Sequence, residues 1–293
     1  MWSPPSPPTI LVSSLGLMGG SLAAALTRAG WPVLLHHRRP EVARQAQELG
    51  YGTAVGDDLG GALGRADLVV VCTPVSAIAP TVRMLAALHP RPVFTDVGSV
   101  KGTLCADLAE FTASGRFVGS HPMAGSHLDG LAHARADLYQ GCMTILTPAP
   151  TTPAPALALV EALWRAVGSR LCHLSPEAHD HAVAEASHLP HVLASAAASQ
   201  LGAAAAPLAA GGFRDTTRIA GGNTAMWSDI LTHNREAVTD GLAALRAHLL
   251  TLEQALQAED GAAVRAWLEA GRAGRQRYEQ HAPNPLPLQG EEA

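Results

Sequence analysis

Short apolar segments alternate with helical stretches from Thr9 to about Pro148, and this alternation restricts the fold more than any other feature. Ile10 to Val12 and Leu68 to Cys72 are typical of buried strands, while Gly19 to Ala29 and Val75 to Leu88 are typical of helices. Further strands are predicted at Val33 to Leu35, Val93 to Thr95 and Met143 to Leu146, and a further helix at Glu41 to Leu49. Strands and helices that alternate at this spacing form a parallel, doubly wound sheet. The sequence therefore predicts an α/β domain with a mostly parallel sheet.

The pattern changes after Thr147 to Pro155, a segment dense in proline and threonine that predicts a connection between two domains. Beyond it, a short strand-like segment at Arg170 to His173 is followed by three stretches with helical spacing, at Pro176 to Leu201, Asn223 to Ala258 and Gly261 to Gln280. We expect a flexible tail at residues 1–8, the sheet domain at 9–149, an all-helical domain at 150–280 and a second flexible tail at 281–293.

Composition and charge exclude several classes of function. The net charge of −5, with dispersed arginines, offers no basic stripe for nucleic acid. No uninterrupted apolar run reaches about 18 residues, so no membrane span is predicted, and the proline-rich amino terminus is not a signal peptide. Cys72, Cys105, Cys142 and Cys172 are widely separated and include no Cys-x-x-Cys pair. This spacing indicates buried free thiols and a cytoplasmic protein.

A glycine-rich turn follows the first strand and opens the first helix, which is the context of a Gly-x-Gly-x-x-Gly phosphate loop. Gly16 and Gly19 keep the positions that allow close approach of a phosphate and close helix–strand packing, with Leu17 and Met18 between them. Ser14 replaces the first glycine, which serine can do only where the backbone angles are not restricted to glycine. These residues predict a Rossmann-like domain that binds a dinucleotide.

Two further turns are predicted to contact the cofactor. The second strand is followed by His37, Arg38 and Arg39, where an acidic residue would bind a free ribose 2′-hydroxyl and arginine would bind a 2′-phosphate. This replacement favours NADP over NAD, and an exposed basic turn without a ligand is the alternative. Thr73 and Pro74 follow the fourth strand and are expected to face the nicotinamide side of the crevice.

Two strand ends carry the polar residues on which the functional prediction depends. Asp96 to Lys101 follows one strand, and Gly119 to Ser126 follows the apolar pair Phe117 and Val118. Ligands bind at the carboxyl ends of strands in an open α/β sheet, so we expect both segments to face one crevice. Lys101 is the only lysine in the chain, which indicates a need for a compact ammonium at this place, in contact with the cofactor. A capping or surface lysine is the alternative.

With these motifs the chain resembles the prephenate/arogenate dehydrogenase family of tyrosine biosynthesis. The matching segments occur in the family's order between about Thr9 and Trp227, at Gly16 to Ser21, Asp96 to Lys101, His121 to Gly125, Ser187 to His191 and Phe213 to Ala220. The resemblance implies an enzyme with an amino-terminal nucleotide-binding domain. It also implies a helical carboxy-terminal domain that carries substrate contacts and forms a homodimer.

The family reaction is an oxidative decarboxylation. Hydride passes from the ring carbon that bears the hydroxyl to the nicotinamide, carbon dioxide leaves, and the ring becomes aromatic. The protein has to orient the reactants and help to remove the hydroxyl proton. A histidine, which titrates near neutrality, suits this task, and His121 is the predicted catalytic residue. Ser99 resembles the family's serine that hydrogen-bonds the same hydroxyl or the nicotinamide, and it is assigned to catalysis with His121.

The substrate is a dicarboxylate or, for arogenate, an amino acid with a ring carboxylate. Arg218 is predicted to bind the ring carboxylate through two hydrogen bonds, and Arg214 lies on the same face if this segment is helical, where it could hold the second carboxylate. Pairing of the arginines with a neighbouring acid or with solvent is the alternative. His191 follows Pro190 in a helix, and the resulting bend can aim it into the cleft. Ser126, where the family often has threonine, is predicted to reach a substrate carboxylate.

Several histidines precede or surround this helical proline, namely His173, His179, His181, His188 and His191. Zinc sites usually add cysteine or carboxylate ligands at short, defined spacing, so we predict no metal site. His173, His179 and His181 are expected to be solvated. His127 stands where relatives are often acidic, which leaves recognition of the side chain and the pH behaviour open.

Two other functions remain open. The β-hydroxyacid dehydrogenases share a similar glycine turn and a helical second domain, but they use a lysine on a later helix, and the helical half of this chain has none. A nucleotide-sensing module without turnover is favoured by Ser14, whereas the polar groups of Ser99, Lys101, His121 and Arg218 favour an enzyme. The preference between prephenate and arogenate, and inhibition by tyrosine, are not read from any single residue.

Overall fold

The computed structural model describes residues 7–125 and 128–281. Its first sheet consists of β1 (Ile10–Ser13), β2 (Val33–His36), β3 (Thr53–Ala54), β4 (Leu68–Val71) and β5 (Val93–Asp96). All neighbouring strands are parallel, in the order β3-β2-β1-β4-β5. The doubly wound sheet is therefore confirmed. Most of the two predicted tails, at residues 1–6 and 282–293, and the pair Ser126 and His127 lie outside the described residues.

Helices cover both faces of this sheet. One face carries α1 (Leu17–Arg28), α2 (Pro40–Glu48) and α7 (Ala154–Ala166), and the other carries α3 (Leu59–Arg65), α4 (Val75–Leu88), α5 (Gly102–Asp107) and α6 (Ala109–Ala113). Ile10 and Val12 of β1 pack into the first layer, whereas Leu11 packs into the second. Because successive side chains of a strand point to opposite faces, a strand buried on both sides is apolar throughout.

A second, three-stranded sheet continues from the edge of β5. It consists of β6 (Gly119–Pro122), β7 (Met143–Thr147) and β8 (Arg170–His173), with β6 antiparallel and β8 parallel to β7. A parallel bridge between Phe94 and Phe117 links the two sheets. His121 thus lies within a strand, opposite Ile145, and not after the strand as the sequence predicted. β8 lies beyond the boundary predicted at residues 149–150 and pairs with β7, so the sheet region extends to residue 173.

The chain after β8 is mainly helical. Its helices are α8 (Pro176–Val183), α9 (Leu189–Ser199), α10 (Gly211–Thr217), α11 (Thr224–His233), α12 (Arg235–Gln257) and α13 (Gly261–His281). The stretch with helical spacing at 176–201 contains a π-helical turn at Ala184–His188, which ends two residues before Pro190. The stretch with helical spacing at 223–258 forms two helices that are divided at Asn234, where the backbone leaves the helical region.

The described residues form two compact units, divided between Val238 and Thr239. The first unit holds both sheets together with α8 to α11. The second unit holds the rest of α12 and all of α13, where the rings of His248 and Trp267 stack with centroids 4.8 Å apart. The four cysteines are unpaired and half-buried. None of the described helices is both long and apolar enough to cross a membrane.

Candidate active site

The glycine turn lies at the point where the strand order reverses, between β1 and β4. Ser14 adopts a φ of +76°, a left-handed conformation that favours glycine. A Cβ on Gly19 would overlap the carbonyl oxygen of Ser14, so α1 can approach the turn only with glycine there. A Cβ on Gly16 would meet no atom within 4 Å. The turn is therefore tight on its inner side and open on its outer side.

The amino terminus of α1 offers unpaired backbone amides to that open side. Gly16 is its N-cap and provides no side-chain cap, and the first turn contains no acidic residue. A helix amino terminus without a side-chain cap or a nearby acidic residue can bind an anion, because the free amides and the helix dipole both favour negative charge. Leu17 is buried, and the carbonyl of Met18 accepts a hydrogen bond from the Tyr139 hydroxyl at 2.7 Å. These residues fit the pyrophosphate of a dinucleotide.

The basic turn after β2 lies beside the glycine turn, because β2 is the neighbour of β1. The Nδ1 of His37 accepts a hydrogen bond from the Arg39 amide at 3.0 Å. Arg38 and Arg39 are exposed, and the Arg39 guanidinium lies 3.9 Å from the Glu41 carboxylate. Burial, the largest cause, and the charges of the two arginines lower the pKa of His37. Two arginines of this turn are thus available to an anionic group.

The turn after β4 faces the same crevice from the other strand. The Thr73 hydroxyl oxygen is buried without a hydrogen-bond partner, so a polar group is left for a ligand. Pro74 precedes α4 as its N-cap. The Asp229 carboxylate of α11 accepts hydrogen bonds from the amide and the hydroxyl of Ser76, both at 3.0 Å. A helix of the carboxy-terminal half therefore caps the start of α4.

Lys101 does not face the crevice, contrary to the cofactor contact that the sequence predicted. Its side chain has no exposed surface, and its Nζ donates to the Asp96 carboxylate at 2.5 Å and to the Val100 carbonyl at 3.2 Å. A group without accessible surface cannot touch a bound cofactor in this arrangement. The compact ammonium instead balances the charge of a carboxylate that is itself fully buried.

Asp96 holds together the two strand ends. Its Oδ2 accepts from the Gly98 amide at 2.8 Å, and its Oδ1 accepts from the Ser120 amide at 3.0 Å, directly before His121. A Cβ on Gly98 would lie 2.6 Å from the Ile78 Cδ1 and 2.9 Å from the Asp96 Oδ2, so a larger residue would displace these side chains. Ser99 follows and is half-buried, with no hydrogen bond from its hydroxyl to another described residue. The loop thus presents a free hydroxyl.

His121 is joined to a second histidine and a carboxylate from α8. Its Nδ1 lies 2.8 Å from Nε2 of His179, and Nδ1 of His179 lies 2.8 Å from Oδ1 of Asp180. The same carboxylate accepts from the amides of Lys101 and Gly102, each at 2.8 Å. His179 has no exposed surface, so the expectation that it is solvated was wrong. Neither His179 nor Asp180 was assigned to the site from sequence.

Burial keeps these histidines neutral. Burial is the largest cause that lowers the pKa of His121 well below its ordinary value, and the neighbouring His179, Lys101 and His188 lower it further. The pKa of His179 is also lowered, mainly by burial, although its bond to Asp180 opposes the shift. Burial acts to raise the pKa of Asp180, but the hydrogen bonds from His179 and the two amides outweigh it, so this carboxyl stays ionised.

A second cluster of rings extends the network toward α9. The amide nitrogen of Asn234 donates to the Asp180 carbonyl at 2.8 Å and to Nδ1 of His188 at 3.1 Å. Burial lowers the pKa of His188 to about 4. His191 is buried and stacks on Trp227 with ring centroids 3.6 Å apart, and its Nδ1 lacks a partner. Trp227 also meets His188 edge-on at 6.2 Å.

The two predicted carboxylate-binding arginines differ in their surroundings. Arg214, in the middle of α10, is exposed and donates to the Asp215 carboxylate at 3.1 Å, as the alternative interpretation held. Arg218 begins a 3-10 turn, Arg218–Gly221, which packs against α9. It is exposed and makes no ion pair within the described part of the chain. Ser126, the third predicted substrate contact, lies outside the described residues.

The buried histidines of this region form hydrogen bonds and ring contacts with neighbouring side chains. Within residues 7–125 and 128–281, no group of three or more His, Cys, Asp or Glu side chains is arranged to hold a metal ion. His173 and His181 are exposed, as expected. His173 lies 3.0 Å from Glu161 of α7.

Comparison with known proteins gives matches over most of the chain. The nucleotide-binding domain of prephenate dehydrogenase matches residues 22–173, and the prephenate dehydrogenase dimerization domain matches residues 175–270. A cyclohexadienyl dehydrogenase of Zymomonas mobilis is 36% identical over 263 residues, which cover 86% of this chain and 89% of that protein.

Two solved structures are also similar. A prephenate dehydrogenase from A. aeolicus in complex with hydroxyphenyl propionate and NAD+ has a TM-score of 0.83 at 30% identity, with 93% of this chain and 98% of that chain covered. An arogenate dehydrogenase of Synechocystis has a TM-score of 0.81 at 31% identity, with 92% and 99% covered.

Proposed function

The chain belongs to the prephenate dehydrogenase family, and from this premise we propose that it catalyses the oxidative decarboxylation of prephenate or arogenate in tyrosine biosynthesis. The products would be 4-hydroxyphenylpyruvate or tyrosine. Membership of the family makes the chain an oxidoreductase. The observation that carries the assignment to this site is the buried His121, held by His179 and next to the residue that Asp96 anchors.

His121 is proposed to accept the proton of the substrate's hydroxyl. A general base must be unprotonated at the working pH, and burial keeps the pKa of His121 low enough for that. Its Nδ1 is already bonded to His179, so Nε2 is the nitrogen that meets the substrate. Ser99, with its free hydroxyl on the neighbouring loop, is proposed to hydrogen-bond the same oxygen. Both side chains then orient the ring carbon from which hydride leaves.

The substrate's ring carboxylate is assigned to Arg218, whose guanidinium makes no ion pair with a described residue and whose turn packs against the helix of His191. A planar guanidinium can bind a carboxylate through two parallel hydrogen bonds. His191 offers an unpartnered ring nitrogen to the substrate. Arg214 and Ser126 are proposed as further contacts, and Arg214 would first have to leave Asp215.

The cofactor is a nicotinamide dinucleotide, which supplies the acceptor for the hydride when it is bound. Its pyrophosphate would lie on Gly16, Leu17, Met18 and Gly19, and its nicotinamide side would face Thr73 and Pro74. We propose NADP as the preferred form, because the exposed Arg38 and Arg39 and the neighbouring His37 could bind a 2′-phosphate. The double variant Arg38→Ala/Arg39→Ala should lower kcat/KM for NADP and leave that for NAD nearly unchanged. Equal losses for both cofactors would reject the preference.

A homodimer through the helical half is proposed from the match to a dimerization domain. Large apolar side chains on α12 support it, since Leu242, Leu249, Leu250 and Leu256 are 39% to 59% exposed. Large apolar side chains that are exposed in this number on one helix are typical of association. Light scattering of the purified chain gives the mass directly. A cytoplasmic location is proposed from the four unpaired thiols.

One experiment tests the activity. Prephenate and arogenate are each combined with NAD and NADP, and reduced cofactor is followed by absorbance, with His121→Asn as the comparison. We expect turnover in at least one combination, with His121→Asn binding the cofactor but losing most of its kcat. Tight cofactor binding without turnover in any combination would favour the sensing module. Turnover of a β-hydroxyacid would favour that family, although the helical half has no lysine to serve it.

A further inference from the structure

We infer that Asp180 and His179 are positioning residues that fix the tautomer of His121, so that its Nε2 is the atom that receives the substrate's proton. The inference rests on the proposed function, because it concerns the same reacting histidine. It adds two residues that lie on α8, more than 50 positions away in the chain and in the other half of the protein.

The direction of each hydrogen bond follows from Asp180. Its two oxygens receive the amides of Lys101 and Gly102, which can only donate, so the carboxylate acts as acceptor on both sides. Nδ1 of His179, 2.8 Å from Oδ1, must then carry the proton of that bond. A neutral imidazole with a proton on Nδ1 has a lone pair on Nε2.

The same logic passes to the second ring. Nε2 of His179 is an acceptor, so Nδ1 of His121, 2.8 Å away, must donate. Neutral His121 then carries its proton on Nδ1 and a lone pair on Nε2. The opposite arrangement would place a ring lone pair against the Asp180 carboxylate at 2.8 Å, on a His179 ring that has no exposed surface. A buried hydrogen bond that is left unmade is costly, and this cost selects one tautomer.

The network also stabilises the product of the proton transfer. When the substrate's O–H bond breaks, an Nε2–H bond forms on His121 and the ring becomes positively charged. The Asp180 carboxylate, through His179, lies behind this charge and favours it. The other titratable or charged groups near the two rings are Lys101, His188 and Asp96. Lys101 opposes the charge, and Asp96 balances Lys101 through their ion pair.

Kinetics of three variants test the role of His179. His179→Leu removes both hydrogen bonds, and we expect kcat to fall by about 10²–10⁴-fold, with the dissociation constant of the cofactor unchanged. His179→Gln keeps an acceptor and a donor on one planar group and should recover part of the loss. His181→Leu, an exposed histidine of the same helix, is the matched control and should behave as the wild type.

The pH profile separates positioning from mere packing. The acid limb of kcat/KM reports protonation of His121 in the free enzyme. It should move to lower pH in His179→Leu, because the loss of the imidazolium's hydrogen-bond acceptor outweighs the removal of a neighbouring ring that lowers the pKa of His121. A kcat and an acid limb equal to those of the wild type would overturn the inference. A loss of kcat with an unmoved limb, not recovered by His179→Gln, would also overturn it.

Nitrogen-15 NMR of the wild-type histidine rings decides the tautomer without any turnover. The His121 signals are assigned by their absence in His121→Asn. We expect a protonated Nδ1 and an unprotonated Nε2 in the folded protein near pH 7. A proton on Nε2 would refute the inference even if the enzyme is active. Conversely, absence of turnover would reject the proposed function, while the spectrum would still report on the network. The spectrum also serves if His179→Leu does not fold.

Discussion

The turn after β1 and the loop after β5 both lie at carboxyl ends of parallel strands, but their polar groups are treated in opposite ways. At the first turn the amides at the start of α1 have no side-chain cap, and the space beyond Gly16 is open. At the second loop the Asp96 carboxylate is fully buried and receives Lys101 and two amides. Polar groups without a hydrogen-bond partner indicate where a ligand binds. Polar groups that have their partners within the protein hold its own residues in place.

The largest expected effect concerns the buried pair. Lys101→Met leaves the Asp96 charge without its partner in the interior, and we expect the free energy of unfolding to fall by about 3–5 kcal/mol. Urea titration measures the change. Arg91→Met is the control, because Arg91 and Asp67 form an exposed pair whose loss should cost less than about 1 kcal/mol. If both variants lose little stability and Lys101→Met also loses affinity for the cofactor, Lys101 contacts the cofactor after all.

The two glycines of the open turn should respond differently to the same added methyl group. Gly19→Ala forces a Cβ into the Ser14 carbonyl, and overpacking of this kind costs about 1–3 kcal/mol of stability. Gly16→Ala meets no protein atom, so its stability should change little while its affinity for the cofactor falls. Thermal unfolding and cofactor titration of both variants separate the effects. Unchanged affinity in Gly16→Ala would argue that the pyrophosphate lies elsewhere.

The stability of the protein should fall at acid pH because of its buried histidines. The pKa values of His121, His179 and His188 are lower in the folded than in the unfolded chain, so the unfolded state binds more protons below about pH 6.5. Stability is therefore complete above that pH and falls as the pH drops toward the folded value, which is about 4 for His188. Each histidine contributes a slope of at most about 1.4 kcal/mol per pH unit. Denaturant midpoints at pH 7.5, 6 and 5 measure it, and His188→Asn should flatten the dependence.

The smallest expected effect is an increase in stability, at Ser14. Ser14 holds a left-handed backbone that glycine adopts without a steric penalty. Ser14→Gly should raise the free energy of unfolding by less than about 1 kcal/mol, because the greater freedom of glycine in the unfolded chain offsets part of the relief. Cofactor affinity should stay the same. A loss of stability would mean that the serine hydroxyl contributes more than the conformation costs.

The strands β1 and β4 could be predicted because they are apolar and buried along their whole length. The predicted bounds of β1, β2, β4, β5, β7 and β8 agree with the structure to within about one residue. β3 and α3 are among the elements that were missed, as are β6, α5 and α6. β3 has two residues at the sheet edge, and α3, Leu59–Arg65, contains three glycines that disfavour a helix.

The sequence predicted the residues that are proposed to contact the substrate, but not the residues that hold them in place. His121 and Ser99 lie in a recognisable motif, and Lys101 was conspicuous as the single lysine, but its partner Asp96 changes its role from binding to structure. His179 and Asp180 carry no local signal, because their importance arises from a contact with a residue 58 positions away. Only the folded chain brings these side chains together.

Two carboxylates of the carboxy-terminal half, Asp180 and Asp229, receive the amides that open α5 and α4. A fragment cut after β8 would leave those amides facing solvent and would separate His121 from the ring that orients it. The nucleotide-binding portion therefore does not complete its own structure. A chimaera that joins it to the helical portion of a distant relative would need both acids at the same positions relative to these amides.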